Sequence, residues 1–274
     1  MNQTVEIISI GNELLIGKTM NTNAQWLAKR ITNLGLSTRR ITVVGDNINK
    51  ISDVIKEALQ RNPSFLLTTG GLGPTFDDLT LHGLGKAFGC VLKVNEKALK
   101  MVKEKYLTYA SDRQIASVEL TPHQIKMAKL PEGATALPNL IGIAPAASIK
   151  YDKMTIIALP GVPSEMKGIF DDSVAPAMKR AALDVTFFAI SIETNGVMES
   201  AIAPLLDNVM QNNPKVYIKS HQKGTEKVPN IEFHISSKAK TADAARHHVN
   251  KALIQLTELI REKGGKIKPI KTET

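Results

Sequence analysis

Phe65-Leu66-Leu67-Thr68-Thr69-Gly70-Gly71-Leu72-Gly73-Pro74-Thr75-Phe76-Asp77-Asp78-Leu79-Thr80 decides how this 274-residue chain is read. The first five residues are apolar or β-branched and predict a short buried strand. Gly70, Gly71 and Gly73 follow at once, and glycine lets backbone amides come close to a ligand. Amides exposed there, or at the start of the helix expected over 79–88, suit a phosphate. Thr68, Thr69, Thr75 and Thr80 add hydroxyl donors. Asp77 and Asp78 would repel a phosphate, so the pair makes sense when a divalent cation bridges them to it. The competing interpretation is a tight turn followed by an acidic helix cap.

Working outward, the same alternation repeats. Residues 5–10 form a β-rich run closed by Gly11. Residues 21–34 have helical spacing, with Trp26, Leu27, Ile31 and Leu34 on one face. A strand over 38–44 is closed by Gly45 and Asp46, and a helix follows over 48–59. Strands and helices in this order predict an α/β fold, a three-layer αβα arrangement around a mostly parallel sheet. Residues 147–151 and 154–159 flank Tyr151-Asp152-Lys153 and predict a hairpin that ends at Pro160 and Gly161. Pro163 suits the first turn of the next helix. Beyond about 176 the order becomes β-α-β-β-α-β, the split βαβ pattern of a small α+β module. The expected domains are 1–175 and 176–274.

Ligands of parallel α/β sheets bind beyond the carboxyl ends of the strands. The residues expected there are Gly11, Asn12 and Glu13; Asp46; Thr69, Gly70, Gly71, Leu72, Gly73, Pro74 and Thr75; and Pro160 with Gly161. Glu13 is a candidate acid or a solvated loop residue. Asp46 is either a rim residue or a cap for the helix near Ile48. Gly11-x5-Gly17-Lys18-Thr19 has one residue too many for a P-loop, and a Glu and bulky aliphatics fill it. No G-x-G-x-x-G, H-E-x-x-H or G-x-S-x-G occurs, which removes dinucleotide, zincin and α/β-hydrolase readings. His247 and His248 read as a solvated helix face.

Composition narrows the classes further. Hydrophobic residues make up 43% of the chain, enough for a core. The net charge of +9 is dispersed, which fits phosphate-bearing ligands better than a DNA-binding tail. Cys90 is the only cysteine, so no internal disulfide forms, as suits a reducing cytoplasm. No apolar stretch is long enough for a membrane span.

Several motifs in order resemble the CinA-like family: Gly11-Asn12-Glu13-Leu14-Leu15-x-Gly17, Asn21-Thr22-Asn23, Val44-Gly45-Asp46, the run from Gly70 to Thr80, and Leu159-Pro160-Gly161-Val162-Pro163-Ser164-Glu165-Met166. The resemblance implies a molybdopterin-binding (MoaB/MogA/MoeA-like) fold and a small KH-type second domain. It also implies hydrolysis of ADP-ribose to AMP and ribose 5-phosphate with Mg²⁺ or Co²⁺, K⁺ assisting. In that reading Asp77 and Asp78 hold the metal, Glu13 is a further ligand or the base, and Thr80 and Asn139 belong to the substrate site. Asn12 and Asn21 stand where the family often has Asp. Asn139-Leu140-Ile141-Gly142-Ile143-Ala144-Pro145-Ala146 departs from the family's N-x-x-G-x-A-P-G in its last residue. The deamidase domain of larger members is not expected here. The alternatives are molybdopterin binding or adenylylation, and a non-catalytic nucleotide binder. Residues 176–274 hold no G-x-x-G, so packing or dimerisation is expected of that domain rather than specific nucleic-acid binding. The expected partners are a nucleoside diphosphate and a second copy of the chain.

Overall fold

The computed structural model describes residues 3–112, 119–182, 185–225 and 228–269. Cα proximity divides the chain into two compact units, Met1–Thr32 with Leu36–Ala182, and Asn33–Gly35 with Leu183–Thr274.

The first unit begins β1 (Thr4–Ile10), α1 (Asn12–Leu15), α2 (Thr22–Asn33), β2 (Ser37–Val44), α3 (Ile48–Arg61), β3 (Phe65–Thr69) and α4 (Thr80–Phe88). It continues with β4 (Leu92–Val94), α5 (Glu96–Asp112), α6 (Pro122–Lys126), β5 (Lys129–Pro131) and β6 (Thr135–Leu137). The hairpin β7 (Ala146–Tyr151) and β8 (Met154–Leu159) leads to α7 (Pro163–Ile169) and α8 (Ala175–Ala181). The main sheet runs β2-β1-β3-β8-β7-β6. β2, β1, β3 and β8 are mutually parallel, and β7 and β6 are antiparallel additions. A separate small ribbon pairs β4 with β5.

Strand residues are buried on both sheet faces. Ile8, Ile10, Leu66, Ile156 and Ala158 pack with residues of α3, α4 and α5. Ile7, Leu67, Ile157 and Leu159 are equally buried outside that cluster, as are Leu27, Ile31, Met166, Phe170 and Met178. This explains why these strands read as unbroken apolar runs. Glu6 is buried on β1 and takes a bidentate ion pair from Arg61 at the end of α3, with Nη2 2.8 Å from Oε2.

The chain runs from β1 to β2 on one side, then crosses to β3 on the other. The order therefore reverses between β1 and β3, and a ligand crevice is expected beyond their carboxyl ends. One local reading changes: residues 12–15 form a short helix, not an open loop. The domain boundary, expected between about 170 and 185 and drawn after residue 175, lies near a helical stretch in which a π-helical turn over Phe170–Val174 joins α7 to α8. Ala182 is accordingly the last residue of the first unit.

The second unit consists of β9 (Thr186–Asn195), α9 (Glu199–Asn212), β10 (Val216–Gln222), β11 (Asn230–Ala239), α10 (Ala242–Glu262) and β12 (Lys266–Pro269). Its sheet order is β10-β11-β9-β12, antiparallel throughout. That is the connectivity of a split βαβ module. Ile192, Ile218, Phe233 and Ile235 alternate along their strands and bury against Val249, Leu256 and Ile260 of α10. His247 is exposed, and His248 is half-buried with its Nδ1 3.2 Å from the Ser237 hydroxyl. Nothing among the described residues marks the unit specifically as KH-type. Among them, no helix is long and apolar enough to cross a membrane.

Candidate functional site

The glycine loop after β3 is fixed by backbone demands. Gly70 and Gly71 have φ of 109° and 65°, in the left-handed region that disfavours side chains. A Cβ on Gly70 would sit 2.1 Å from the Ile10 carbonyl oxygen, because β1 and β3 are adjacent at the switch point. A Cβ on Gly71 would sit 2.5 Å from the Thr80 hydroxyl. Thr80 is buried and donates to the Gly70 carbonyl at 2.6 Å. Thr69 donates to the Pro160 carbonyl at 2.9 Å and accepts from Asn23 at 3.0 Å. Thr68 is wholly buried within β3. Thr68 and Thr80 therefore face the protein, not a ligand; the period of the strand and the first turn of α4 turn them inward.

Asp77 and Asp78 do not cap α4, whose N-cap is Leu79 without a side-chain bond. Instead they turn back to Thr75. The Thr75 amide donates to Asp78 Oδ2 at 2.8 Å, and the Thr75 hydroxyl lies 2.5 Å from Asp77 Oδ1 and 2.6 Å from Asp78 Oδ2. The Thr75 hydroxyl bond holds the Asp77 carboxyl below its ordinary range, with its backbone amide and Lys126 adding to this. Lys126, at the end of α6, donates to the Thr75 carbonyl. Burial pulls the Lys126 ammonium down in pKa, while Asp78 and Asp77 oppose that. Lys126 was not visible as a site residue in sequence, since 51 positions separate it from Thr75.

Asp46 is not the cap of α3 either, because Asn47 accepts from the amides of Asn49 and Lys50. Asp46 Oδ2 accepts from the Asn12 amide at 2.8 Å, and the Asp46 amide donates to Asn12 Oδ1 at 3.2 Å. This reciprocal pair locks the turn after β2 to the start of α1. Glu13 is exposed and lines the same cleft as Asp46.

Two clefts flank the glycine loop. The first, of about 290 Å³, is lined by Gly11, Glu13, Asn21, Asn23, Asp46, Thr75 and Asp77 among others. The second, of about 530 Å³, is lined by Leu72, Gly73, Pro74, Pro160, Val162 and Glu165, with Tyr106 and Tyr109 of α5 and Ile141 and Ile143 of the following loop. Gly71, Asp78 and Gly161 line both. Asn139 is buried behind the second cleft. It donates to the Ala144 carbonyl at 2.9 Å and to Glu165 Oε2 at 2.7 Å, and accepts from the Gly142 amide at 2.8 Å. It shapes the cleft wall instead of touching the cavity. Tyr106, Tyr109 and Glu165 were not read as site residues in sequence; the three-residue spacing of the tyrosines on a helix hinted at a shared face, and Glu165 stood only within the Leu159–Met166 motif.

Among the described residues, no group of three His, Cys, Asp or Glu side chains could hold a metal ion. Asp77 and Asp78 alone suit a hard cation only in the manner of Mg²⁺, which completes its shell with water and substrate phosphate.

Residues 6–180 match the family described as "Probable molybdopterin binding domain". A protein of Pyrobaculum arsenaticum is 43% identical over 260 residues, spanning 94% of this chain and 95% of its own. One from Sulfurisphaera tokodaii is 40% identical over 263 residues, spanning 96% and 97%. The crystal structure of the protein CinA with unknown function from Thermoplasma acidophilum is 35% identical with a TM-score of 0.58, covering 66% of this chain and 98% of that one. The resemblance to CinA read from the motifs thus has a structural counterpart. By its first unit, this chain belongs to the family of the probable molybdopterin binding domain.

Proposed function

We propose that the first unit binds a ring-bearing phosphate ester of the pterin or nucleotide class, with its phosphate on the 70–73 loop. The observation that carries this reading is the pair of clefts meeting at Gly71, Asp78 and Gly161. Glycines at the junction let a phosphate approach the backbone closely, and the family description favours a pterin as the ring. The test is calorimetry of the full chain with neopterin phosphate and with magnesium pyrophosphate. Saturable binding of one ligand per chain, weakened in Gly71→Val, is expected. No binding of either probe overturns the reading.

A second reading, hydrolysis of ADP-ribose to AMP and ribose 5-phosphate, is favoured by the acidic pair at the junction. Water adds to one phosphorus, the bridging P–O bond breaks, and the bridging oxygen leaves on the second phosphate. Glu13, on the cleft wall, would take the proton of the attacking water. Asp77 and Asp78 would hold a divalent cation, Mg²⁺ or Co²⁺, which supplies Lewis-acid stabilisation when bound. Chromatography of products from ADP-ribose, run beside a molybdopterin adenylylation assay, separates the two chemistries. Absence of AMP with every metal tried removes the hydrolytic reading and leaves the binding one intact.

A further inference from the structure

We infer that the free edge of β2 is a self-association surface, to which a second copy of this chain adds its own β2 antiparallel across a two-fold axis. β2 ends the six-stranded sheet, and among the described residues it pairs only with β1. Its outer row of backbone N–H and C=O groups is a template for another strand. Natural edges of this kind are blunted by proline, charge or a bulge. Here the bulge falls at Arg39, where Val5 pairs with Thr38 and Glu6 with Arg40. Beyond it, Arg40 to Val44 run in unbroken register with β1, and no proline interrupts them.

One face of this edge is also bare. Ile41 lies beside Ile7 in the register, and Ile7 is fully buried. Ile41 is nevertheless 46% exposed and Val43 36% exposed, so the cover of the sheet stops one strand short of its edge. Gly45 continues the alternation of Ile41 and Val43, and a Cβ on it would lie 3.2 Å from Leu15 Cδ1. The exposed Leu15 of α1 thus prolongs the same apolar strip past the end of the strand.

Symmetry and charge select a second copy as the occupant. Antiparallel pairing centred on Thr42 sets Ile41 opposite Val43 of the second copy, and Val43 opposite its Ile41, on the bare face. On the other face Thr42 meets its own equivalent, and Arg40 lies opposite Val44 and diagonal to Asp46. β-Branched pairs, Thr–Thr pairs and opposite charges across a ladder each stabilise it. The strand runs from a basic start, the exposed Arg39 and Arg40, to a carboxylate at Asp46. Antiparallel pairing sets each basic start beside the other copy's acidic end, whereas parallel pairing sets like charges together. The same residues serve as both halves of the contact, the condition for a closed two-fold dimer.

The test is sedimentation of the full chain over roughly 1–100 µM, since a ladder this short makes a small interface. Wild type should rise to dimer mass across that range. The double variants Ile41→Lys with Val43→Lys, and Ile41→Glu with Val43→Glu, should each stay monomeric. Both change exposed side chains, so their melting temperatures should stay close to that of the wild type. An equimolar mixture of the two should regain dimer mass, because each lysine then faces a glutamate across the ladder. A wild type that is monomeric throughout overturns the inference and leaves the edge to another chain. A dimer that survives in either charged variant, or a mixture no more associated than its parts, overturns it as well.

Discussion

The two clefts beside the glycine loop are built from different chemistry. The first is walled by amides, hydroxyls and carboxylates on the ends of β1, β2 and β3. The second is walled by tyrosines, prolines and aliphatic side chains from α5, the 139–144 loop and α7, with Glu165 set among them. Polar groups that can exchange water for phosphate or ribose oxygens suit the first; a flat ring suits the second. The difference is one of construction: polar groups at β-strand ends wall the first cleft, and helices and loops added around the sheet wall the second.

Asp78 sits where the clefts join, so its loss should have the largest effect. Asp78→Asn keeps an oxygen for the Thr75 amide but removes the charge. Any metal-dependent cleavage of ADP-ribose should fall about 10²–10³-fold, with melting nearly unchanged. EDTA should silence the wild type, and Mg²⁺ or Co²⁺ should restore it. Full turnover in Asp78→Asn, or indifference to EDTA, would reduce the acidic pair to a brace for the loop.

Arg61→Ala tests the scaffold apart from the site. It leaves Glu6 buried without its partner, which should cost about 3 kcal/mol of stability. Ligand affinity in the remaining folded protein should not change. If affinity falls in step with stability, the site and this end of β1 are coupled, and the separation drawn here is wrong.

Gly71→Val strikes the loop itself. Its left-handed backbone should cost about 1–2 kcal/mol, and the contact with Thr80 adds to that. Thermal melts and phosphate affinity should both drop. Intact affinity would remove the loop from the site.

Lys126→Met should weaken binding of pyrophosphate about tenfold, because Thr75 loses its tether and the acidic pair loses a nearby cation. An unchanged affinity would confine Lys126 to holding the loop fold.

The smallest effect concerns His82, which lies behind the loop with Leu72 and Lys126. Burial lowers its pKa, and Lys126 and Lys129 add to this. The unfolded chain therefore takes up the proton first. Stability is whole above the ordinary histidine value of 6.5 and is lost as pH falls from there toward the folded value. His82→Gln should shrink the drop in melting temperature on acidification; an identical pH profile would exclude His82 as a contributor.

Much of this architecture is legible in the sequence. β1, β2 and β3 read as strands because burial on both faces leaves unbroken apolar runs, and the order of the second unit reads from alternation on half-buried strands. The hairpin turn at Asp152, with φ of 50°, was legible as Tyr151-Asp152-Lys153. The three-residue strands β4 and β5 were not, because so short a ribbon has no period. Asp46 looked like a cap because only the structure shows that Asn47 takes that role. The first cleft could be anticipated, since its residues follow strand ends. The second could be anticipated only in part: Leu72, Gly73, Pro74, Pro160 and Gly161 follow strand ends, whereas Tyr106, Ile141 and Glu165 are scattered along the chain and meet only through the packing of α5 and α7 around the sheet.

The central claim is that the two clefts and the loop between them form one site. It is tested most directly by titrating the full chain with GDP, calorimetrically, with and without saturating magnesium pyrophosphate. One GDP per chain, displaced competitively by pyrophosphate, is the predicted result. GDP affinity untouched by pyrophosphate would contradict it, because the ring cleft and the phosphate loop would then be separate sites.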